Sequence, residues 1–253
     1  MPNNKNKYLK YLPKSMWYPE NKKELEEFID NSFKKDTNIR EMPMKIHGII
    51  VPHAGYEFSG MIAGKAFSLL KDKKIEKAIV FGPSHYIPLK KAVTSDKFEW
   101  KTPLGKIKLF NTAFPTADIE QEHSIKNQIP FLQKLKVKEI MPLMIGEIIN
   151  EQAELIAKKL VKQDALFVFS TDLSHFLHYD NAKERDKRTI KIIENLEIEN
   201  WKNLDACGIF PLLIMFHLCK LLNTKPHLIE YKNSGDVTGD KYHGVVGYAS
   251  FWF

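Results

Sequence analysis

Ile49-Ile50-Val51-Pro52-His53-Ala54-Gly55-Tyr56 is a short apolar run that stops at a proline and a histidine and turns at a glycine. Ile46 to Val51 reads as a buried strand, and Pro52 sets its end because proline cannot continue the ladder. The same grammar recurs twice. Val80-Phe81-Gly82-Pro83-Ser84-His85 ends a second apolar run in a histidine, and Phe167-Val168-Phe169-Ser170-Thr171-Asp172-Leu173-Ser174-His175 ends a third in an aspartate and a histidine. In open α/β sheets, ligands sit beyond the carboxyl ends of the strands. Three strands that each deliver a chemically capable group to that edge make a constellation, which a lone histidine would not.

Between the strands the pattern switches to helical spacing. Ser59 to Leu70, Ser124 to Leu135, Glu151 to Val161, Asn181 to Asn195 and Cys207 to Leu222 read as helices. Ala92 to Ser95, Ile140 to Ile145, Leu228 to Tyr231 and Val245 to Phe251 read as further strands. Phe98 to Lys101 and Ile107 to Leu109 flank Pro103-Leu104-Gly105 as a hairpin. Strands alternating with helices specify an α/β chain: a three-layer sandwich with a central, mostly parallel sheet flanked by helices. Residues 1–253 read as one domain, with 1–20 as a loosely packed arm.

Composition narrows the function classes. The chain has 253 residues, 43% of them hydrophobic and 27% charged, enough to bury a core. Two cysteines exclude a disulfide framework and any four-thiol metal site. The net charge of +7 invites a nucleic-acid reading, but only Arg40, Arg185 and Arg188 are arginine among 38 basic residues. Bidentate recognition of phosphate and guanine favours arginine, so no nucleic-acid partner is expected. No apolar stretch approaches the ~20 residues of a membrane span, and the polar N-terminus has no signal-peptide core. A cytoplasmic, reducing location is the default expectation. Walker, dinucleotide-fingerprint, His-Glu-x-x-His and Gly-x-Ser-x-Gly motifs are all missing.

Cys207 stands in Asp205-Ala206-Cys207-Gly208, at the start of an apolar helical pattern. A thiol at a helix N-terminus has its thiolate stabilised by unpaired N–H groups, which suits a metal ligand or a reactive thiol. Cys219 lies inside the apolar stripe and reads as packing. Asp172 and His175, three apart, would share one face of a helical turn and suit proton transfer or orientation of a neighbour. Ser124, in Glu122-His123-Ser124, reads as a helix N-cap, with His123 facing the site. Ser234 to Asp240 is a turn-rich loop whose two carboxylates are candidate cation ligands. His243 is a late contributor, and the remaining histidines read as surface or packing residues.

Taken in order, Pro52-His53-Ala54-Gly55-Tyr56 with Ser59-Gly60, Gly82-Pro83-Ser84-His85, Glu122-His123-Ser124, Ser170-Thr171-Asp172-Leu173-Ser174-His175, Ala206-Cys207-Gly208 and Val246-Gly247-Tyr248-Ala249 resemble the Memo family. This family is also called protein B of the AmmeMemoRadiSam system. The resemblance runs from about residue 40 to the C-terminus. It implies a fold similar to the class III extradiol dioxygenases, and a metal pocket formed by His53, His85 and Cys207 with Asp172 and His175 close by. The cysteine stands where those dioxygenases place a carboxylate. One divalent or redox-active metal ion is implied, iron(II) first, with copper or zinc as alternatives.

Three readings follow. In the first, the chain is a metal-dependent redox enzyme acting on a small molecule, with His175 or Asp172 moving protons and His123 and Tyr56 shaping the pocket. In the second, it is an adaptor that seats a peptide in the same pocket. In the third, it is a metal chaperone. A radical-SAM or AMMECR-type protein is the partner the resemblance suggests.

Overall fold

A computed structural model describes residues 17–34 and 45–253. Most of the expected loose arm therefore lies outside the described residues. The elements in order are α1 (Lys22–Ser32), β1 (Gly48–Val51), α2 (Met61–Ser68), β2 (Lys77–Pro83), β3 (Ala92–Ser95), β4 (Glu99–Thr102), β5 (Gly105–Leu109), β6 (Thr116–Ala117), α3 (His123–Lys126), α4 (Ile129–Lys134), β7 (Glu139–Ile145), α5 (Asn150–Leu160), β8 (Leu166–Ser170), α6 (Tyr179–Glu194), α7 (Ile209–Leu222), β9 (His227–Asn233), α8 (Ser234–Thr238) and β10 (Gly247–Trp252).

The strands form one sheet in the order β4-β5-β7-β2-β8-β1-β10-β9, with β3 and β6 attached beyond the end of β7. Its centre is parallel: β5 with β7, β7 with β2, β2 with β8, and β8 with β1. β10 and β9 close one side antiparallel, and the β4–β5 hairpin closes the other.

Two-residue periodicity builds the layers. Ile49, Val51, Ala78, Val80 and Val168 point to one face, where α1, α2 and α4 bury Leu25, Phe28, Ala66, Phe67 and Phe131. Ile50, Ile79, Phe81, Phe167 and Phe169 point to the other, against Ala153 and Leu160 of α5, Ile193 of α6 and Leu212 to Phe216 of α7. Strands buried on both faces must be apolar at every position, which is why they read as unbroken runs. A helix apolar all round must likewise be enclosed; Pro211 to Cys219 of α7 are all buried. Cys219 is packing there, with its sulfur on Met215. No described helix is long and apolar enough to cross a membrane.

The structure adds to the sequence reading and amends it in three places. α1 carries Leu25, Phe28, Ile29 and Ser32 on its buried face, with the Asn21 side chain capping it through the amides of Lys23 and Glu24. That periodicity is visible in the sequence but falls in a stretch assigned no element. The helix expected over Ser124 to Leu135 is two helices, broken before Pro130, whose ring has no N–H for the ladder. The helix expected from Ser59 begins earlier, as a π turn over Tyr56–Gly60.

Candidate metal centre

β8 lies between β1 and β2, with Val51 opposite Ser170 and Phe81 opposite Phe169. Three adjacent strands thus end level, and the residues that follow them converge. The ring centroids of His53 and His85 are 5.2 Å apart, those of His85 and His123 4.4 Å, and those of His53 and His123 5.3 Å. Each of the three offers a ring nitrogen within 4.8 Å of the others. Among the described residues, no second group of three ligand-bearing side chains meets in this way.

Cys207, from the loop before α7, approaches the cluster at His53 and lies outside the group of three mutually close histidines. Its sulfur is 3.2 Å from His53 Nε2 and accepts the Asp172 amide at 3.2 Å, while its own amide donates to the Asp172 carbonyl at 3.2 Å. The neighbouring Gly208 amide donates to Thr171 Oγ1 at 2.8 Å. A Cβ on Gly208 would lie 2.7 Å from that oxygen and 2.5 Å from Thr171 Cβ, so only glycine lets this loop reach the end of β8.

Hydrogen bonds fix the orientation of each ring. Ser170 Oγ donates to the Ser124 carbonyl at 2.6 Å, so its remaining capacity is to accept. His53 Nδ1, 2.9 Å from that oxygen, therefore carries the proton and leaves the Nε2 lone pair facing Cys207. His85 donates Nδ1–H to Glu122 Oε1 at 2.8 Å and its amide to Oε2 at 2.9 Å. His123 Nδ1 shares a 2.7 Å bond with the Tyr86 hydroxyl, and Trp17 stacks on the ring at 4.0 Å. Asn127 and Gln128, freed at the break between α3 and α4, reach the carbonyls of His53 and Pro52 at 2.7 and 3.0 Å.

Burial favours the neutral ring at His53 and His123. Burial, with His85 close by, pushes the His53 imidazole down to about 3. Burial followed by His53 and His85 takes His123 to about 3 as well. For Glu122, burial acts upward, but the bonds from His85 and the Ser124 amide outweigh it and hold the carboxylate at about 2. Burial also raises the Asp172 carboxyl.

The structure changes the reading of several expected roles. The Cys207 thiol is not eased toward the thiolate by a helix end: α7 starts at Ile209, and burial followed by Asp172 pushes the thiol up to about 12. Thr171 to His175 is not helical. Asp172 turns inward, where Oδ1 accepts the amides of His53 at 2.8 Å and Ala54 at 3.4 Å, while His175 is exposed. Glu122, not Ser124, is the N-cap of α3. Tyr56 is buried in the neighbouring core and donates its hydroxyl to the Asn127 carbonyl at 2.8 Å. Ser234 to Asp240 contains the short helix α8, capped by Asn233, and Asp240 is bonded to the exposed His243. Glu122, Ser170 and Trp17 went unassigned, because a sequence carries no sign that a side chain orients a residue tens of positions away.

The sequence matches the family described as Memo-like protein over residues 15–252. It is 33% identical to a MEMO1 family protein of Sulfurisphaera tokodaii over 81% of each chain. It is 30% identical to one of Aquifex aeolicus, covering 94% of this chain and 96% of the relative. It is 32% identical to one of Methanosarcina mazei, covering 92% and 94%. With the family match spanning nearly the whole chain, and the strand-end motifs meeting at one site, the protein belongs to the Memo-like family.

Proposed function

We propose that His53, His85 and Cys207, with His123 at the fourth side, hold one redox-active divalent metal ion, and that the protein is a metal-dependent oxidoreductase acting on a small molecule. The observation that carries this is the 3.2 Å approach of the Cys207 sulfur to the unprotonated Nε2 of His53. Ligand atoms on one tetrahedral metal, at about 2.0 Å for nitrogen and 2.3 Å for sulfur, stand roughly 3.5 Å apart.

The donor set fits such an ion. Metals bind neutral imidazole, and burial keeps His53 and His123 neutral. Ser170 and Glu122 take the Nδ1 protons of His53 and His85, the outer partnership that metal-binding histidines usually have. A high thiol value is no obstacle, because a coordinating thiol gives up its proton to the metal's charge. Two neutral histidines and one anionic ligand carry the same charge as the two-histidine, one-carboxylate set that holds iron(II), so iron(II) is the first candidate. The thiolate makes copper and zinc the alternatives.

When bound, the ion would supply electron transfer or oxygen activation. The chain's own residues do the rest. Glu122 and Ser170 aim the rings, Asp172 fixes the His53 and Ala54 amides, and His175 stands at the exposed side as the group able to exchange protons with solvent. A second reading, in which the pocket seats a peptide, draws on the exposed rings of Tyr86 and Phe176 beside His85 and His175.

The test is anaerobic purification under reducing conditions, followed by metal analysis of the wild type and of His53→Ala, His85→Ala and Cys207→Ser. About one equivalent of metal in the wild type, lost in all three variants, is expected. No stoichiometric metal in the wild type would sink the proposal. Metal without oxygen uptake on thiol or catechol-like substrates would leave a chaperone, and peptide binding indifferent to Cys207→Ser would favour the adaptor.

A further inference from the structure

We infer that Asp186, remote in sequence from every candidate ligand, is a positioning residue for this centre: its buried carboxylate grips the Ser174 amide and so sets the turn from which Asp172 holds both His53 and Cys207. Asp186 lies on α6 and is fully buried. Oδ1 accepts the Ser174 amide at 2.9 Å, and Oδ2 accepts the Tyr231 hydroxyl of β9 at 2.7 Å. The turn is tied to β10 as well, through Leu173 N to the Gly247 carbonyl at 2.8 Å and Gly247 N to the Ser174 carbonyl at 2.9 Å. A Cβ on Gly247 would lie 2.0 Å from Asp186 Oδ2, so the glycine makes room for the carboxylate.

The consequence runs back along the chain. Two residues before Ser174, Asp172 accepts the His53 amide and donates its own amide to Cys207 Sγ. Hydrogen bonds at Ser174 and at Asp172, joined by the backbone of Leu173, thus link α6 and β9 to two candidate ligands. An ionisable carboxylate is a costly choice for a fully buried site, since burial works against its charge. A group that only filled space would be apolar. This one answers two donors on two separate elements, which an apolar side chain cannot do.

The inference rests on the metal reading for its consequence, but the test begins on metal-free protein. Amide hydrogen exchange is compared in wild type, Asp186→Ala, Asp186→Leu and Asp186→Asn. Asparagine keeps Oδ1 for Ser174 and can donate to the Tyr231 oxygen. In the alanine and leucine variants the Ser174 amide and the distant His53 amide should both exchange about tenfold faster or more, with wild-type rates restored in Asp186→Asn. Cobalt(II), as the metal probe, should bind the alanine or leucine variant about 10–100-fold more weakly with a shifted thiolate charge-transfer band, and bind Asp186→Asn as it binds the wild type.

Faster exchange confined to Ser174, with His53 unchanged, would overturn the inference. So would an Asp186→Asn variant as impaired as Asp186→Ala. If alanine and leucine both abolish folding while asparagine folds, the carboxylate serves the domain as a whole and the positioning role fails. If wild type takes up no cobalt, the metal reading fails, and the exchange result still decides the case of Asp186.

Discussion

The Cys207 sulfur lies 3.2 Å from His53 Nε2, across 154 residues of chain. The contact joins the end of β1 to the loop before α7. Cys207→Ser should therefore lower metal affinity by at least about tenfold while leaving the thermal midpoint close to wild type, since a serine hydroxyl is close in size to the thiol and can still accept the Asp172 amide. Competition titration against a chelator of known affinity measures the first, and differential scanning calorimetry the second.

Glu122 answers three donors with two oxygens: the His85 ring, the His85 amide and the Ser124 amide. Glu122→Gln puts an NH₂ against one of them. Metal affinity should fall about 10–100-fold, although no candidate ligand is touched.

The same residue predicts a pH dependence. Glu122 is held at about 2, below its ordinary 4.5, so its contribution to stability is complete above about 4.5 and is lost as pH falls from there through about 2. That contribution is on the order of 3 kcal/mol. Urea unfolding should show the gap between wild type and Glu122→Gln closing across this window and constant from pH 5 to 7.

Asp186 has the opposite sign. Burial raises its carboxyl above 3.8, against the bonds from Ser174 and Tyr231. Stability from this group is greatest below about 3.8 and declines as pH rises through the raised value. Asp186→Asn, which keeps both bonds, should lose this decline and match or exceed the wild type in urea midpoint at pH 7. A lower midpoint at pH 7 would contradict the argument.

Gly208→Ala tests the loop that presents the thiol. The added Cβ meets Thr171 at 2.5–2.7 Å, so the loop must withdraw from β8. Stability should drop by about 1–3 kcal/mol in urea unfolding, and metal affinity should drop with it.

The strand ends were legible because burial on both faces forces an unbroken apolar run, and a polar residue at its end then stands out. His53, His85 and Asp172 were readable from Pro52-His53, Ser84-His85 and Thr171-Asp172 on that ground alone. His123 was readable as facing the site from Glu122-His123-Ser124, and the place of Cys207 beside the strand ends came from the resemblance. The role of Glu122 is not legible in the sequence, because its bond to His85 spans 37 positions and leaves no periodic trace. Asp186 has no mark in the sequence, since periodicity cannot show that a carboxylate within the Asn181 to Asn195 helix has turned inward.

Sequence by itself determined the layers, the strand ends and the family, because hydrophobic period and short motifs are local properties of the chain. Tertiary structure alone decided which histidine nitrogen is free, that the Cys207 thiol is raised by burial instead of eased by a helix end, and that His123 completes the cluster. Those facts depend on desolvation and on hydrogen-bond partners, and both arise only when distant segments close around one another.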